Sequence, residues 1–147
     1  MSQTIRIAKR SELDEVLRLL ESLDLPGDGV EEHLDEFLVA EEAGRVIGAV
    51  GLEVYGSVGL LRSLAVAPLE QSGGLGSRLV EALLERARDR KIDTLYLLTT
   101  TADRYFPRFG FEPIPRTEVD SRLGASKELQ GACPQTAICM RLGLPVK

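Results

Sequence analysis

The spacing of hydrophobic positions changes several times along the chain, and each change predicts an element. Residues 4–8 alternate, with Ile5 and Ile7 apolar around Arg6, and read as a short strand. Leu13, Val16, Leu17, Leu20 and Leu23 then share one helical face, with Ser11 as the expected N-cap. Leu25-Pro26-Gly27-Asp28-Gly29 ends that helix, because the residue before a proline avoids helical geometry and glycine permits a turn. Residues 30–34 predict a second, short helix. From residue 37 a strand pattern takes over. Strands over residues 37–41, 45–55 and 60–67, joined at Glu42-Ala43-Gly44 and Gly56-Ser57, form an antiparallel meander.

Helical spacing returns at Leu75, Leu79, Val80, Leu83, Leu84 and Ala87. A β-branched strand follows over residues 94–101, then a short helix around 103–109 and a brief strand at 111–114. The tail over residues 115–134 is polar and irregular, with room for one helical turn, and the last strand covers residues 137–142. The order is β-α-α-β-β-β-α-β-α-β-β, an α+β fold with a mixed, mostly antiparallel sheet flanked by helices. Its middle strand–helix–strand unit requires a crossover and therefore one parallel pair. No repeat or linker interrupts residues 1–147, which are expected to form a single domain.

Composition narrows the chemistry. The chain has 147 residues, with 18 Lys+Arg against 23 Asp+Glu and a formal charge of −5. An acidic chain without a long basic cluster is a poor nucleic-acid binder. One histidine and two cysteines cannot assemble a His- or Cys-rich zinc site, and no metal is expected. No segment approaches the roughly 20 apolar residues of a membrane span, and the first residues lack a signal-like apolar stretch, so no membrane partner and a cytoplasmic location are expected. The Arg86, Arg88, Arg90, Lys91 run reads as a solvated helix end that complements the helix dipole.

Gln71-Ser72-Gly73-Gly74-Leu75-Gly76 joins a strand ending at Pro68 to the start of the strongest helix. Unpaired N–H groups and the positive dipole end converge there, and glycines let a large anion such as a pyrophosphate approach. The plainer reading is a tight strand-to-helix turn. Two other phosphate-binding patterns fail. A P-loop closes on Gly-Lys-Ser/Thr, whereas Gly76 precedes Ser77-Arg78, and G-x-G-x-x-G fails at Leu79.

Leu64-Ala65-Val66-Ala67-Pro68 followed by Gln71 to Gly76 resembles the acetyl-CoA signature of the GNAT N-acetyltransferases, Q/R-x-x-G-x-G/A. Ala102-Asp103-Arg104-Tyr105-Phe106-Pro107-Arg108-Phe109-Gly110-Phe111 resembles that family's later segment ending in Y-x-x-x-G-F. More narrowly, Leu52-Glu53-Val54-Tyr55-Gly56, Leu61-Arg62-Ser63-Leu64-Ala65-Val66 and Leu97-Leu98-Thr99-Thr100-Thr101 look like small family members associated with arsenic-resistance operons. The resemblance implies that the backbone of Leu64, Ala65 and Val66 holds the acetyl group and pantetheine arm of the co-substrate acetyl-CoA. Gln71, Ser72, Gly73, Gly74, Leu75 and Gly76 would wrap the pyrophosphate, with Ser77 and Arg78 adding a hydroxyl and a cation.

The implied activity is acetylation of a small-molecule amine by direct attack in a ternary complex, the acceptor being an amino-acid-like or arsenic-containing compound. Acetylation of a protein or peptide amine, and a non-catalytic acyl-CoA-binding module, remain as alternatives. A homodimer remains open.

The chain departs from the family at two positions. Many members carry a glutamate where this chain has Leu60, and a general-acid tyrosine where it has Phe106. Glu53 becomes the substitute base, since a two-residue turn at Gly56-Ser57 sets it opposite Leu60; otherwise it is a solvated strand glutamate. Tyr105 either protonates the leaving thiolate, lines the CoA channel or packs. Arg62, expected on the strand face of Leu60 and Leu64, either binds an acceptor carboxylate or oxyanion, or bridges Glu53 or another acid. His33 either lines the acceptor site or lies on the surface, and Cys133 and Cys139 either bind a soft metalloid or pack.

Overall fold

Turn chemistry sets the register of the sheet. The structure, a computed structural model, describes residues 3–132 and 136–145. β1 (Thr4–Ile7) lies antiparallel to β2 (Phe37–Glu42). β2 turns into β3 (Arg45–Tyr55) through Ala43 and Gly44, both at positive φ, a pair that matches strand twist. β3 turns into β4 (Val58–Val66) through Gly56 at φ 69° and Ser57, so Tyr55 pairs with Val58 and Glu53 with Leu60, the expected register. α3 (Leu75–Asp89) carries the chain over to β5 (Thr94–Thr99), which lies parallel to β4. β7 (Ile138–Gly143) fits between β5 and β6 (Glu112–Ile114), giving the order β1-β2-β3-β4-β5-β7-β6.

Helices cover both faces. α1 (Leu13–Ser22) and α2 (Val30–His33) bury Val16, Leu20 and Val30 against Phe37, Val39, Ala49 and Ala65. α3 buries Leu75, Leu79, Val80, Leu83, Leu84 and Ala87 on the opposite face, against Val50, Leu52, Leu61 and Leu97. Each fully buried leucine there contributes about 1.5–3 kcal/mol. A third cluster of Val58, Leu60, Tyr96 and Leu123 lies beneath the tail.

Several local expectations change. Ser11 does not cap α1. It sits inside a 3-10 turn, Arg10–Glu12, and the Glu12 carboxylate accepts the Lys9 backbone N–H at 2.9 Å instead. β5 stops at Thr99 because its Oγ1 accepts the N–H groups of Thr101 and Ala102. The expected helix near 103–109 is a 3-10 turn, Phe106–Phe109, and the tail holds three short helical turns, Arg116–Glu118, Ser121–Ala125 and Glu128–Ala132. The α3 arginines are not merely solvated: Arg86 Nε meets Glu36 at 2.7 Å and Arg90 meets the same carboxylate, tying the helix end to the 3-10 turn Leu34–Glu36. Among the described residues, no helix is long and apolar enough to cross a membrane.

Candidate active site

β4 carries the irregularity on which the site depends. Its pairing with β3 steps from Gly51↔Arg62 to Ala49↔Ala65, so an extra residue is inserted near Ser63. Ser63 sits at φ 60°, a left-handed conformation that costs a non-glycine residue about 1–3 kcal/mol. Arg62 Nε holds it by donating to Ser63 Oγ at 2.9 Å. The bulge reverses the strand's alternation. Arg62 faces the α1–α2 side, whereas Leu64 and Val66 pack on the α3 side and Ala65 on the α1 side. Arg62 and Leu64 therefore do not share a face, and simple two-residue periodicity misplaces them.

Beyond Leu60↔Tyr96, β4 and β5 no longer pair. The strands splay, and a cleft of about 510 Å³ opens between Leu61, Arg62, Ser63 and Leu64 on one side and Leu97, Leu98 and Thr99 on the other. Phe106 and Ala137 also line it, as do Asp24, Pro26 and Asp28 from the α1–α2 loop and Glu128 from the tail. The edge of β4 facing this cleft has no strand partner past Leu60 among the described residues, so its peptide groups are available to a ligand.

The glycine turn meets the end of the same strand. Gln71 Nε2 donates to the Val66 carbonyl at 2.9 Å, tying the loop to β4. Gly74 caps α3 at φ 79°, and the first donor within the helix is Arg78, which bonds Gly74 O. The preceding amides are the free N-terminal donors of a helix whose first turn carries no acid. A Cβ at Gly74 meets nothing within 4 Å, and one at Gly73 meets only Glu70 O at 3.8 Å, so open space lies beside those amides. The residues fit a phosphate-bearing ligand there. Ser77 lies on the first turn, and a groove of mixed charge continues past it along α3 beside Glu81, Glu85, Arg88, Arg108 and Phe109.

Tyr105 belongs to this end of the site. Its hydroxyl lies 2.8 Å from Ser77 Oγ, and Arg108 stacks on its ring at 4.3 Å. Phe106 lines the cleft instead, and its ring has no hydroxyl to donate a proton.

Arg62 and Glu53 form a buried pair. Arg62 Nη1 donates to Glu53 Oε2 at 2.8 Å and to Asp28 O at 2.6 Å, and Nη2 donates to Pro26 O at 3.1 Å. Glu128 Oε2 approaches Nη2 at 3.5 Å. Glu53 is fully buried rather than solvated. Its Oε1 accepts the Tyr55 hydroxyl at 2.5 Å, and His33 Nε2 lies 3.7 Å away. Burial, followed by that bond to the carboxylate, pushes the Tyr55 phenol up. His33 thus backs the Glu53 cluster and does not line the cleft. Of the site residues expected from sequence, Arg62 and Leu64 line the cleft, and Glu53 is connected to it only through Arg62.

Sequence reasoning missed Glu128, buried and lining the cleft, and the Ser63 bulge. The bulge had a signal: Arg62-Ser63 is a polar pair inside an apolar strand. Glu128 had none. Cys139 is buried in β7, and burial pushes its thiol up, away from the thiolate a metalloid would need. Cys133 lies outside the described residues. Among the described residues, no group of three His, Cys, Asp or Glu side chains is placed to hold a metal.

Comparison with known proteins agrees with this geometry. The family model of the acetyltransferase (GNAT) family matches residues 4–111. An amino-acid acetyltransferase of Neisseria meningitidis is 28% identical over 125 residues, 79% of this chain and 29% of the relative. One from Pseudomonas putida is 30% identical over 120 residues, 76% of this chain and 28% of the relative. The chain thus spans under a third of these curated relatives' length. A Mycobacterium tuberculosis protein solved in complex with CoA superposes with a TM-score of 0.79 at 25% identity, covering 97% of this chain and 99% of that one. N-acetylglutamate synthase from Neisseria gonorrhoeae, complexed with coenzyme A and N-acetyl-glutamate, gives a TM-score of 0.83 at 24% identity, covering 99% of this chain and 36% of that one.

Proposed function

Because the chain belongs to the acetyltransferase (GNAT) family, we propose that it transfers the acetyl group of acetyl-CoA to the amine of a small molecule. The observation that carries this reading is that one strand serves both ends: β4 lines the cleft with Leu61 to Leu64, and its Val66 carbonyl is tied to Gln71 of the turn whose open amides start α3. One end suits a thioester and an acceptor, the other a pyrophosphate. Acetyl-CoA supplies an activated acyl carbon, and transfer exchanges its C–S bond for a C–N bond.

In this reading the amides before Arg78 hold the pyrophosphate. Gln71, Ser72, Gly73, Gly74, Leu75 and Gly76 shape that turn, and Ser77 and Arg78 extend it. This resolves how a chain of net charge −5 can hold an anionic ligand: oriented peptide dipoles act locally, whatever the total charge. The edge of β4 at Leu64, Ala65 and Val66, which has no strand beside it on the cleft side, binds the pantetheine arm and stabilises the developing oxyanion.

The acceptor arrives as an ammonium and must lose a proton before it attacks. Glu53 stands behind Arg62, so we assign the base to Glu128, the buried carboxylate that lines the cleft. Glu53 holds Arg62, and Arg62 holds the loop carbonyls of Pro26 and Asp28 that form the acceptor wall. The second amine proton goes to the sulfur, which makes an acid at Phe106 unnecessary. Tyr105 orients Ser77 beside the cofactor turn.

The names of the relatives favour an amino-acid acceptor. The arsenic-containing acceptor rests only on the segments quoted above. The reading is tested by thiol release from acetyl-CoA across an amine panel: turnover with a small amine supports it, and CoA binding without turnover favours the non-catalytic module.

A further inference from the structure

Glu128 reaches the cleft from a tail of short helical turns, and the groups that fix its place lie outside that tail. Glu53 and Tyr55 stand two residues apart on β3 and share a face. Tyr55 packs with Leu60, Leu123 and Leu129, so its ring lies against the two leucines that bracket Ser126 and Glu128. Ser126 connects the two elements. It is fully buried, and its Oγ accepts the Glu128 backbone N–H at 3.2 Å, a local turn that serine side chains favour. The same hydroxyl bonds the Tyr55 phenol, against the upward push of burial and of Glu53. Tyr55 in turn donates to Glu53 Oε1 at 2.5 Å.

Proton counting fixes the direction of these bonds. A carboxylate only accepts, so the Tyr55 proton goes to Glu53, and the one Ser126 proton goes to the phenol oxygen. The chain runs from Glu128 N–H through Ser126 Oγ and the Tyr55 hydroxyl to Glu53. Arg62 closes it: Nη1 donates to Glu53 Oε2 at 2.8 Å, and Nη2 lies 3.5 Å from Glu128 Oε2. The backbone and the carboxylate of Glu128 are therefore both anchored to the Glu53–Arg62 pair, the first through two hydroxyls and the second directly. Glu53, Arg62, Ser126 and Glu128 are at most 3% exposed, and in such surroundings successive hydrogen bonds reinforce one another. His33 is the remaining titratable group against this chain, with its ring edge on Tyr55 and Nε2 3.7 Å from Glu53 Oε1.

We infer that Tyr55 and Ser126 are positioning residues, which set the Glu128 carboxylate in the cleft where it takes the proton of the acceptor amine. The inference rests on the assignment of Glu128 as the base. Neither hydroxyl-bearing residue is among those lining the cleft, so both act through Glu128. A displacement of about 1 Å in a reacting group is enough to cost as much as about 100-fold in rate.

The test uses Tyr55→Phe, Ser126→Ala and Glu128→Gln in the full chain, singly and in pairs. Tyr55→Phe keeps the packed ring and removes only its oxygen. It is expected to lower kcat about tenfold, with the KM for acetyl-CoA within about twofold of the unaltered protein. Ser126→Ala should do the same. In the Glu128→Gln background neither should lower kcat further, because the group they position is gone. Amide hydrogen exchange read by NMR needs no turnover: the Glu128 N–H should exchange about tenfold faster in Tyr55→Phe, while amides of α3 keep their rates. Unchanged kcat in Tyr55→Phe, an equal loss with and without the Glu128 carboxylate, or a Glu128 N–H that exchanges at its original rate would each overturn the inference. If Glu128→Gln alone leaves turnover intact, the base assignment falls, and the exchange result then decides by itself whether Tyr55 and Ser126 hold Glu128.

Discussion

Arg62 Nη1 and Glu53 Oε2 lie 2.8 Å apart, and neither side chain is exposed to solvent. The pair joins the centre of β3 to the bulge of β4, and the same guanidinium reaches the α1–α2 loop. Removing one member of a buried pair leaves the other poorly compensated, and here Glu53 and Glu128 both approach the Arg62 guanidinium. Arg62→Ala should therefore destabilise the fold by about 3–5 kcal/mol in chemical denaturation. Arg62→Lys should recover only part of this, since an ammonium cannot reproduce the planar fork.

Gly74 and Gly51 should respond differently to the same methyl group. A Cβ at Gly74 meets open space but sits at φ 79°, so Gly74→Ala should cost only about 1 kcal/mol of stability. CoA affinity, read by calorimetry, should still fall by about tenfold or more, because the new methyl group stands beside the helix amides. A Cβ at Gly51 would lie 2.3 Å from the Phe37 ring, and Gly51→Ala should impair folding itself.

Glu128→Gln should lower kcat/KM for the acceptor about 100-fold and remove the acid limb of its pH profile. Glu53→Gln should lower stability and leave that limb in place. If the limb follows Glu53 instead, the base assignment is wrong.

Tyr105→Phe removes the hydroxyl that meets Ser77 and should raise the KM for acetyl-CoA by about 2–10-fold, the loss of one hydrogen bond, with little change in kcat. A large drop in kcat with a lost basic limb would make Tyr105 the acid after all.

The Arg6–Glu12 pair sets part of the acid sensitivity. Arg6 Nη1 and Nη2 donate to both oxygens of Glu12 at 2.9 and 2.8 Å, and this bonding holds the carboxyl at about 2 against an ordinary 4.5. A depressed carboxylate stabilises the fold above its unfolded value, and that contribution is lost as pH falls from about 4.5 through about 2. Glu12→Gln should cost about 1–2 kcal/mol at neutral pH and flatten the stability profile within that window, read by denaturation at several pH values.

Much of this architecture is legible in the chain. Gly56-Ser57 set the register of Glu53 against Leu60, and the apolar spacing from Leu75 to Ala87 set the buried face of α3. These features are local, and turn chemistry and periodicity report them directly. The face of Leu64 was not legible, because one inserted residue near Ser63 reverses an alternation that periodicity assumes to be unbroken. Nor was the company of Arg62, whose partners come from residues 26, 28, 53 and 128. Contacts at such separations leave no mark on local spacing. Glu128 lies in a tail whose composition reads as loop, and only the packing of that tail against the third cluster brings it to the cleft.

The most direct test of the account is free-thiol release from acetyl-CoA by the purified protein, with and without amino acids, in parallel for Gly74→Val. The account predicts amine-dependent release with formation of an N-acetyl product, and loss of both CoA binding and release in the variant while its fold persists. Undiminished CoA binding by a folded Gly74→Val protein would contradict it.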